Sequence, residues 1–590
     1  MPDPYYNLNY RPETKRQYLE LLRVQLENER SSFIPHWRDL GDFILPRRPR
    51  FFLSDANRGE RRNQKIIDTT ATLAVRTLQS GMMAGITSPA RPWFRLTTPD
   101  PELGEFAPVK EWLHVVAQRM ATVFLRSNLY NALPIVYGDL GVFATGAVSI
   151  EEDFESVVRF YPFPIGSYMI ANNDRLKVDV FFREFRMTVR QIVNRFGRKA
   201  EEPSKIDWTN MSAYVRNLWE NGQVEAWVDI AHAIIPNDDY RPRAVEAKYK
   251  RYLSCYYERG SSGVATGSYV AELDGEKILS QSGYDYFPIL CPRWEITGED
   301  VYGTNCPGMT ALGDIRQLQI GEKRGAQAIE KMVNPPMVAP TALRTMKTTI
   351  LPGDITYSDE REGQRGFRPA HEVNFRIAEL EAKQDQVRQR IRRAFYEDLF
   401  LMLATIDRRQ ITAREIDERH EEKLLMLGPV LEQLNQDLLD PLIDNTFDIM
   451  LRQGLIPRPP EELQGTTLKV EYISIMAQAQ KLAGIGGIER FAGFVGQIAG
   501  FDPQVLDKID RDQMVDEYGE ITSVPPRIIV PDEQVAAIRQ ARVEAAQAQQ
   551  AAAMAADAAR TVKDLSSAKM GEDNALTRLE ELSRAGAITP

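Results

Sequence analysis

From His371 to Leu427 the chain has no Gly and no Pro, and apolar residues recur at helical spacing: Ile377, Leu380, Val387, Ile391, Phe395, Leu399 and Met402. A polar break from Thr405 to Thr412 interrupts this stripe. Thr412 and Glu415 then fit a capping box, in which the hydroxyl and the carboxylate each take a free backbone N–H at a helix start. A second amphipathic run follows through Ile416, Leu424, Leu427, Leu431, Leu434, Leu438, Leu442 and Ile449. The pattern predicts helix, tight polar elbow, helix. A kink is expected at Gly428-Pro429, where proline removes a donor and crowds the preceding turn. At ~1.5 Å per residue each arm reaches roughly 40 Å or more, well beyond a mean helix of about 11–12 residues. Such a hairpin is either a packed core element or a strut that crosses the layers of a large assembly.

Upstream, Pro12 to Arg30 reads as a charged amphipathic helix with Tyr18, Leu21, Leu22, Val24 and Leu26 as its apolar face, and Ser32 to Ile44 as a second, short helix. Asp68 is placed to cap a helix that Ser88-Pro89 ends, with an extended segment starting at Trp93 and Phe94. Ala74, Gly81 and Gly85 on that helix would admit another backbone closely. Residues 107–143 hold two more helices. From Gly146 the period changes to strands: Ala147–Glu151, Val157–Tyr161, Val178–Phe185, Val224–Ile235, Ala247–Glu258, Gly267–Leu273 and Lys277–Gln281, with helical patches at Thr188–Phe196 and Ser212–Glu220. Gly260–Gly267 reads as a hairpin loop. A long helix, Gly308–Val333, stops at Asn334-Pro-Pro336. About 40 residues of Pro, Gly and short β-like pieces (Met337–Val338, Thr348–Leu351, Asp354–Ser358) precede the next helix, so the excursion reads as a small module on two helical stalks. Lys469–Ile475 is a strand, helices follow to Tyr518, and Pro531–Lys563 is an Ala-rich helix. Ala has the best helix propensity but covers little apolar area, so this rod needs neighbours or stays solvated. The whole is α+β, predominantly helical.

At 590 residues there is ample length for several domains. The net charge of −10 argues against a protein whose main task is to grip nucleic acid, while leaving room for a channel through which DNA slides. The basic cluster from Arg47 to Arg62 offers either a phosphate contact or, the reading preferred here, a solvated arm or intersubunit contact. Cys255, Cys291 and Cys306 form no C-x-x-C, as in a reducing cytosol. Neither a secretory leader nor a membrane span is expected. The catalytic signatures H-E-x-x-H, G-x-S-x-G and a post-strand G-x-G-x-x-G are missing from the sequence. His36, His114, His232, His371 and His420 are scattered, so neither a metal site nor a cofactor is expected, while the residues by themselves leave an enzymatic role open.

Four stretches carry a resemblance. They are Asp68–Leu96 with its Thr87-Ser-Pro-Ala-Arg-Pro-Trp-Phe-Arg ending, Tyr302 through Pro336, Ala394–Leu403, and Thr412-Ala-Arg-Glu with Glu421–Glu432. Together they make the chain similar to the head-to-tail connecting (portal) proteins of short-tailed, podovirus-type bacteriophages, over most of residues 1–460. The resemblance implies a ring, generally of twelve subunits, at one capsid vertex of the virion, assembled in the host cytoplasm. It also implies a wing (1–306), two stem helices (307–333 and 374–404), a clip (334–373), a channel loop (405–412) and a wing spine helix (413–460). A crown (461–525) and a helical barrel with its tail (526–590) would complete the subunit. Double-stranded DNA would pass through the channel. Asp407, Arg408, Arg409 and Gln410 would form the channel loop, although both arginines can instead pair with carboxylates such as Glu415. Ser358, Asp359, Glu360, Arg361, Glu362, Gln364 and Arg365 in the clip would receive the terminase and later the tail adaptor or nozzle. Major capsid and scaffolding proteins are further implied partners. A scaffold or coiled-coil adaptor without a DNA channel fits the long helices and the Ala-rich rod equally well.

Overall fold

The computed structural model describes the chain apart from residues 1–13, 52–58, 60, 101–102, 105, 199–204, 243, 260–276, 336, 339–367, 370–375, 407–426, 464–467, 473–490, 499, 502–504, 506–509, 511, 516–529, 531 and 568–590. The expected hairpin loop Gly260–Gly267, the strands at 267–273, 348–351 and 354–358, the capping box at Thr412 and the helix at 476–483 lie outside the described residues. The chain divides into two units, Met1–Gly487 and Ile488–Pro590.

The first unit opens with helices α1 (Lys15–Ser31), α2 (Ile34–Phe43), α3 (Thr70–Gly85), α4 (Ala107–Arg126) and α5 (Leu129–Phe143). Two antiparallel sheets follow. Strands β2 (Val148–Asp153), β3 (Val157–Pro162) and β9 (Ile289–Leu290) form one in the order β3-β2-β9. Strands β4 (Tyr168–Asn172), β5 (Val178–Thr188), β6 (Trp227–Pro236), β7 (Tyr252–Glu258) and β8 (Ser280–Tyr284) form the other in chain order. Short helices α6 (Val189–Ile192) and α7 (Ala213–Glu220) sit between β5 and β6, each started by a hydroxyl cap, Thr188 and Ser212. β4 was not legible in the sequence: Tyr168, Met169 and Ile170 are all buried, so no alternation marks the strand. Strand β1 (Phe94–Thr97) pairs with β12 (Lys469–Tyr472), and the Arg95–Glu471 ion pair at 2.6 Å lies across that ladder. The first residues of the stretch read as a crown thus return to the strand after α3.

Alternation along β5 sends Phe181 to the main core and Phe182 to the opposite face, where α1 packs. The apolar face predicted for α1 is only partly the buried one. Leu19 and Leu26 are buried, but so are Arg16, Arg23 and Arg30, at heptad spacing, while Tyr18, Leu21 and Val24 are exposed. The sheet explains the reversal, because it offers acceptors rather than a purely apolar floor. Arg16 donates to the carbonyls of Glu258 and Lys277, Arg23 to Glu184 at 2.8 Å, and Arg30 to the carbonyl of Gly166 at 2.7 Å. Long stems bury their methylenes while each guanidinium finds partners.

Helical residues 427–434 continue through a π turn, Asn435–Leu439, into α11 (Asp440–Arg452). Pro429 lies in the first described turn, and the distortion among the described residues comes later, just before Pro441. Pro441 has no N–H for the carbonyl four residues earlier, and a wider π turn absorbs the mismatch. That turn holds Asp437, which accepts from the buried Arg293 at 3.0 and 3.2 Å. Arg293 also donates to Asn172 and to the carbonyl of Leu176, so one side chain joins the π turn before α11 to the β4–β5 connection.

In the second unit, residues 491–498 are helical and α12 (Asp532–Ser567) is a 36-residue helix. Its described side chains are almost all exposed, as an Ala-rich rod predicts. Arg539 pairs with Asp512 at 2.6 Å.

Replacing Arg293 with Met strands the Asp437 carboxylate in the interior. We expect a loss of about 3–5 kcal/mol in denaturant unfolding, much of it recovered when Asp437→Leu is added. Equal stability of Arg293→Met and the parent would contradict this role.

Candidate functional site

The chain's two stalks are α8 (Pro307–Val333) and α9 (Ile377–Ala394). Proline at the first turn of α8 is compatible with a helix start, since no intrahelical donor is needed there. The helices pack antiparallel, as the pairs Asp314–Arg390 (2.8 Å) and Glu322–Arg388 show by running in opposite directions. A Cβ at Gly325 would meet Leu380 at an ordinary 3.4 Å, so the gap between the helices does not require glycine there. Burial is graded along the hairpin. Every buried residue of α8 lies between Pro307 and Gln319, and on α9 Val387 and Ile391 are buried near its end. Beyond this root Ile320, Ile329, Met332 and Val333 are exposed, Val333 at 81%. At the far end β10 (Met337–Val338) pairs with β11 (Arg368–Pro369), closing the base of the excursion. Ser358, Asp359, Glu360, Arg361, Glu362, Gln364 and Arg365, expected in a clip, fall between these two strands in sequence and lie outside the described residues.

The root is held by polar contacts to the start of α3. The Gln319 amide accepts from the N–H groups of Ile67 and Asp68 at 2.6 and 2.9 Å and donates to the Asp68 carbonyl at 2.9 Å. The N-cap is Thr69, whose side chain makes no cap bond, so the cap expected at Asp68 is displaced by one residue: Asp68 accepts from the N–H of Thr70, the first helical residue, at 2.8 Å. Its second oxygen accepts from Arg388 Nε at 2.9 Å, and Arg388 also reaches Asp385 and Glu322. Burial alone would raise the Asp68 carboxyl; the Thr70 hydroxyl and N–H and the Arg388 charge outweigh it and hold the group below its usual range. Bonds to Asp68 and Asp385 hold Arg388 above its usual value. Sequence reading singled out Asp68 but missed Gln319 and Arg388, because a polar residue on a long amphipathic helix looks like a solvated face.

The sequence pattern merges α9 with the segment that follows, whereas the structure breaks it. Tyr396 has φ 56°, a conformation uncommon for a bulky residue, and α10 (Glu397–Ile406) sets off in a new direction. The break lets α10 lie on α3. Phe400 occupies the notch at Gly81, where a Cβ would sit 2.2 Å from its ring, so the small residue admits a side chain rather than the expected backbone. Tyr396 itself stacks on Trp294, with centroids 6.3 Å apart. Asp407, Arg408, Arg409 and Gln410 follow α10 directly and lie outside the described residues.

Among the described residues no group of three or more His, Cys, Asp or Glu is placed to hold a metal, and no helix is long and apolar enough to cross a membrane. The three cysteines are buried and unpaired, and burial pushes the Cys255 thiol up to about 11. Arg48, from the basic cluster, is committed to the buried Asp139 through Nε at 2.7 Å, so this member is a structural tie.

Asn at position 68 keeps an acceptor for the Thr70 N–H and removes the charge that faces Arg388. For Asp68→Asn we expect about 1 kcal/mol lower stability and faster amide exchange in α9, with the start of α3 unchanged. Because the carboxyl is held low, its contribution is present at neutral pH and disappears as the pH falls through its lowered value. Unaltered exchange in α9 would show that Arg388 is held by Asp385 and Glu322 alone.

Comparison with known proteins agrees with this architecture. Residues 16–530 match the family described as bacteriophage head to tail connecting protein. The portal protein of Salmonella phage epsilon15 is 49% identical over 573 residues, covering 97% of this chain and 99% of that protein. The probable portal protein of Bordetella phage BPP-1 is 43% identical over 565 residues, covering 96% and 98%. The chain therefore belongs to the bacteriophage head-to-tail connecting protein family.

Proposed function

We propose that this chain is the subunit of a portal ring at one capsid vertex, through which double-stranded DNA enters and leaves the head. The observation that carries the reading is the α8–α9 hairpin. It is rooted in the core at one end and exposes Ile320, Ile329, Met332 and Val333 toward the other, apolar surface that a projecting stalk leaves for neighbouring copies. A ring, generally of twelve subunits, would cover it with the next subunit's stem. Residues 1–306 would form the wing, 307–333 and 374–404 the stem, 334–373 the clip, 405–412 the channel loop, 413–460 the wing spine, 461–525 the crown and 526–590 the barrel and tail. The role is structural. Packaging energy would come from a terminase that docks on the clip, which the tail adaptor later occupies. Capsid and scaffolding proteins would surround the wing, first in the host cytoplasm and then in the virion.

An acidic chain suits this channel, since a repelling wall lets DNA slide. Arg408 and Arg409 would be the exception, meeting phosphates in a contact independent of base sequence and weakened by salt. Changing both to Ala should leave rings intact and lower genome packaging or retention, measured as the DNA-filled fraction of heads. In parallel, a Gly-Ser linker in place of residues 358–366 should leave rings intact and abolish adaptor docking. Normal filled heads from the first variant would remove the channel-loop role, and unchanged docking by the second would remove the clip role.

A further inference from the structure

One row of the inner face of the five-stranded sheet brings charged and aromatic groups together. Arg183 on β5 lies opposite His232 on β6, and His232 opposite Tyr256 on β7. The His232 ring stacks on Tyr256, centroids 3.8 Å apart at 6°. Arg183 Nε donates to His232 Nδ1 at 3.2 Å, which fixes the tautomer, so Nε2–H donates to Ser254 Oγ at 2.9 Å. Burial, with the Arg183 and Arg195 charges, pushes His232 well below its usual range, so it stays neutral and adds no charge of its own.

Two positive charges remain. Arg183 and Arg195 both donate to the Tyr256 hydroxyl, at 3.4 and 3.3 Å. Arg183 also lies over the rings of Phe163 and Phe185, and Arg195 over Tyr256. Their neighbour Arg186 pairs with Asp229, yet among the described residues neither Arg183 nor Arg195 has a carboxylate partner. The Tyr256 oxygen accepts from both, which leaves its own hydrogen available to donate, and no described group receives it. Glu151 lines the cleft beside Arg183, and no ion pair joins the two. Ser149, in the same cleft, is buried with its hydroxyl unpartnered. Like charges held together around one donor, with no acceptor, describe an incomplete ion pair.

We propose that Arg183, Arg195 and Tyr256 form a receptor for a small oxyanion, a phosphate or carboxylate group, at the open edge of this row. Arg195 is exposed, so the group arrives from solvent. The test is equilibrium dialysis of the assembled full-length protein against radiolabelled inorganic phosphate, at constant ionic strength set with chloride, with acetate as competitor. One saturable phosphate per chain is expected. Arg195→Gln, at an exposed position, and Tyr256→Phe, which preserves the stacked ring, should each weaken it about tenfold or more. Competition by acetate would identify carboxylates as ligands of the same receptor, and its failure would restrict the receptor to phosphate. No saturable binding of either anion, or equal binding by both variants and the parent, would overturn the proposal.

Discussion

The contact on which the rest depends is the one between the start of α3 and the two stalk helices. Gln319 and Arg388 come from different stalks, and both close on Asp68. Helices α8 and α9 share little apolar surface beyond their root, so packing alone would leave their direction loose. A side-chain amide that recognises backbone groups and a guanidinium shared among three carboxylates define that direction through geometry. The described distal parts inherit their position from this node: the exposed apolar stretch and the β10–β11 closure.

Two other joints follow the same logic. Arg293 clasps Asp437 inside a π turn, and the arginines of α1 reach into the outer face of the sheet. In each case a buried guanidinium meets carboxylates or carbonyls at fixed angles, where an apolar contact would allow sliding. Buried ion pairs are weak sources of stability but good sources of register. That fits a subunit whose elements have to keep their relative positions.

Much of this was legible in the chain. Helix periodicity located α3, α4, α5, α8 and α12, and alternation with Pro and Gly boundaries located most strands. The stretches that misled did so for physical reasons. On α1 a heptad of Arg and Leu is buried because the sheet supplies acceptors, which no hydropathy pattern reports. At Tyr396 a left-handed residue divides what periodicity reads as one helix, and only the Phe400–Gly81 fit explains the division. The π turn Asn435–Leu439 before Pro441 is not singled out by the sequence pattern, because its cost is visible only in the helix that carries it, while the turn preceding Gly428-Pro429, where a kink is expected, lies outside the described residues. The polar root was the least visible, since Gln319 and Arg388 acquire meaning only when sequence separations of about 250 to 320 residues close. The residues singled out for function by resemblance, Asp407 to Gln410 and Ser358 to Arg365, lie outside the described residues.

The apolar surface that α8 exposes beyond its root is proposed to be an interface between copies. The mass of the native particle tests it most directly, by mass photometry of the purified protein across the micromolar range in moderate salt. The account predicts a single closed species of roughly twelve 67.1 kDa chains. Monomers alone over that range, or an elongated dimer, would contradict it.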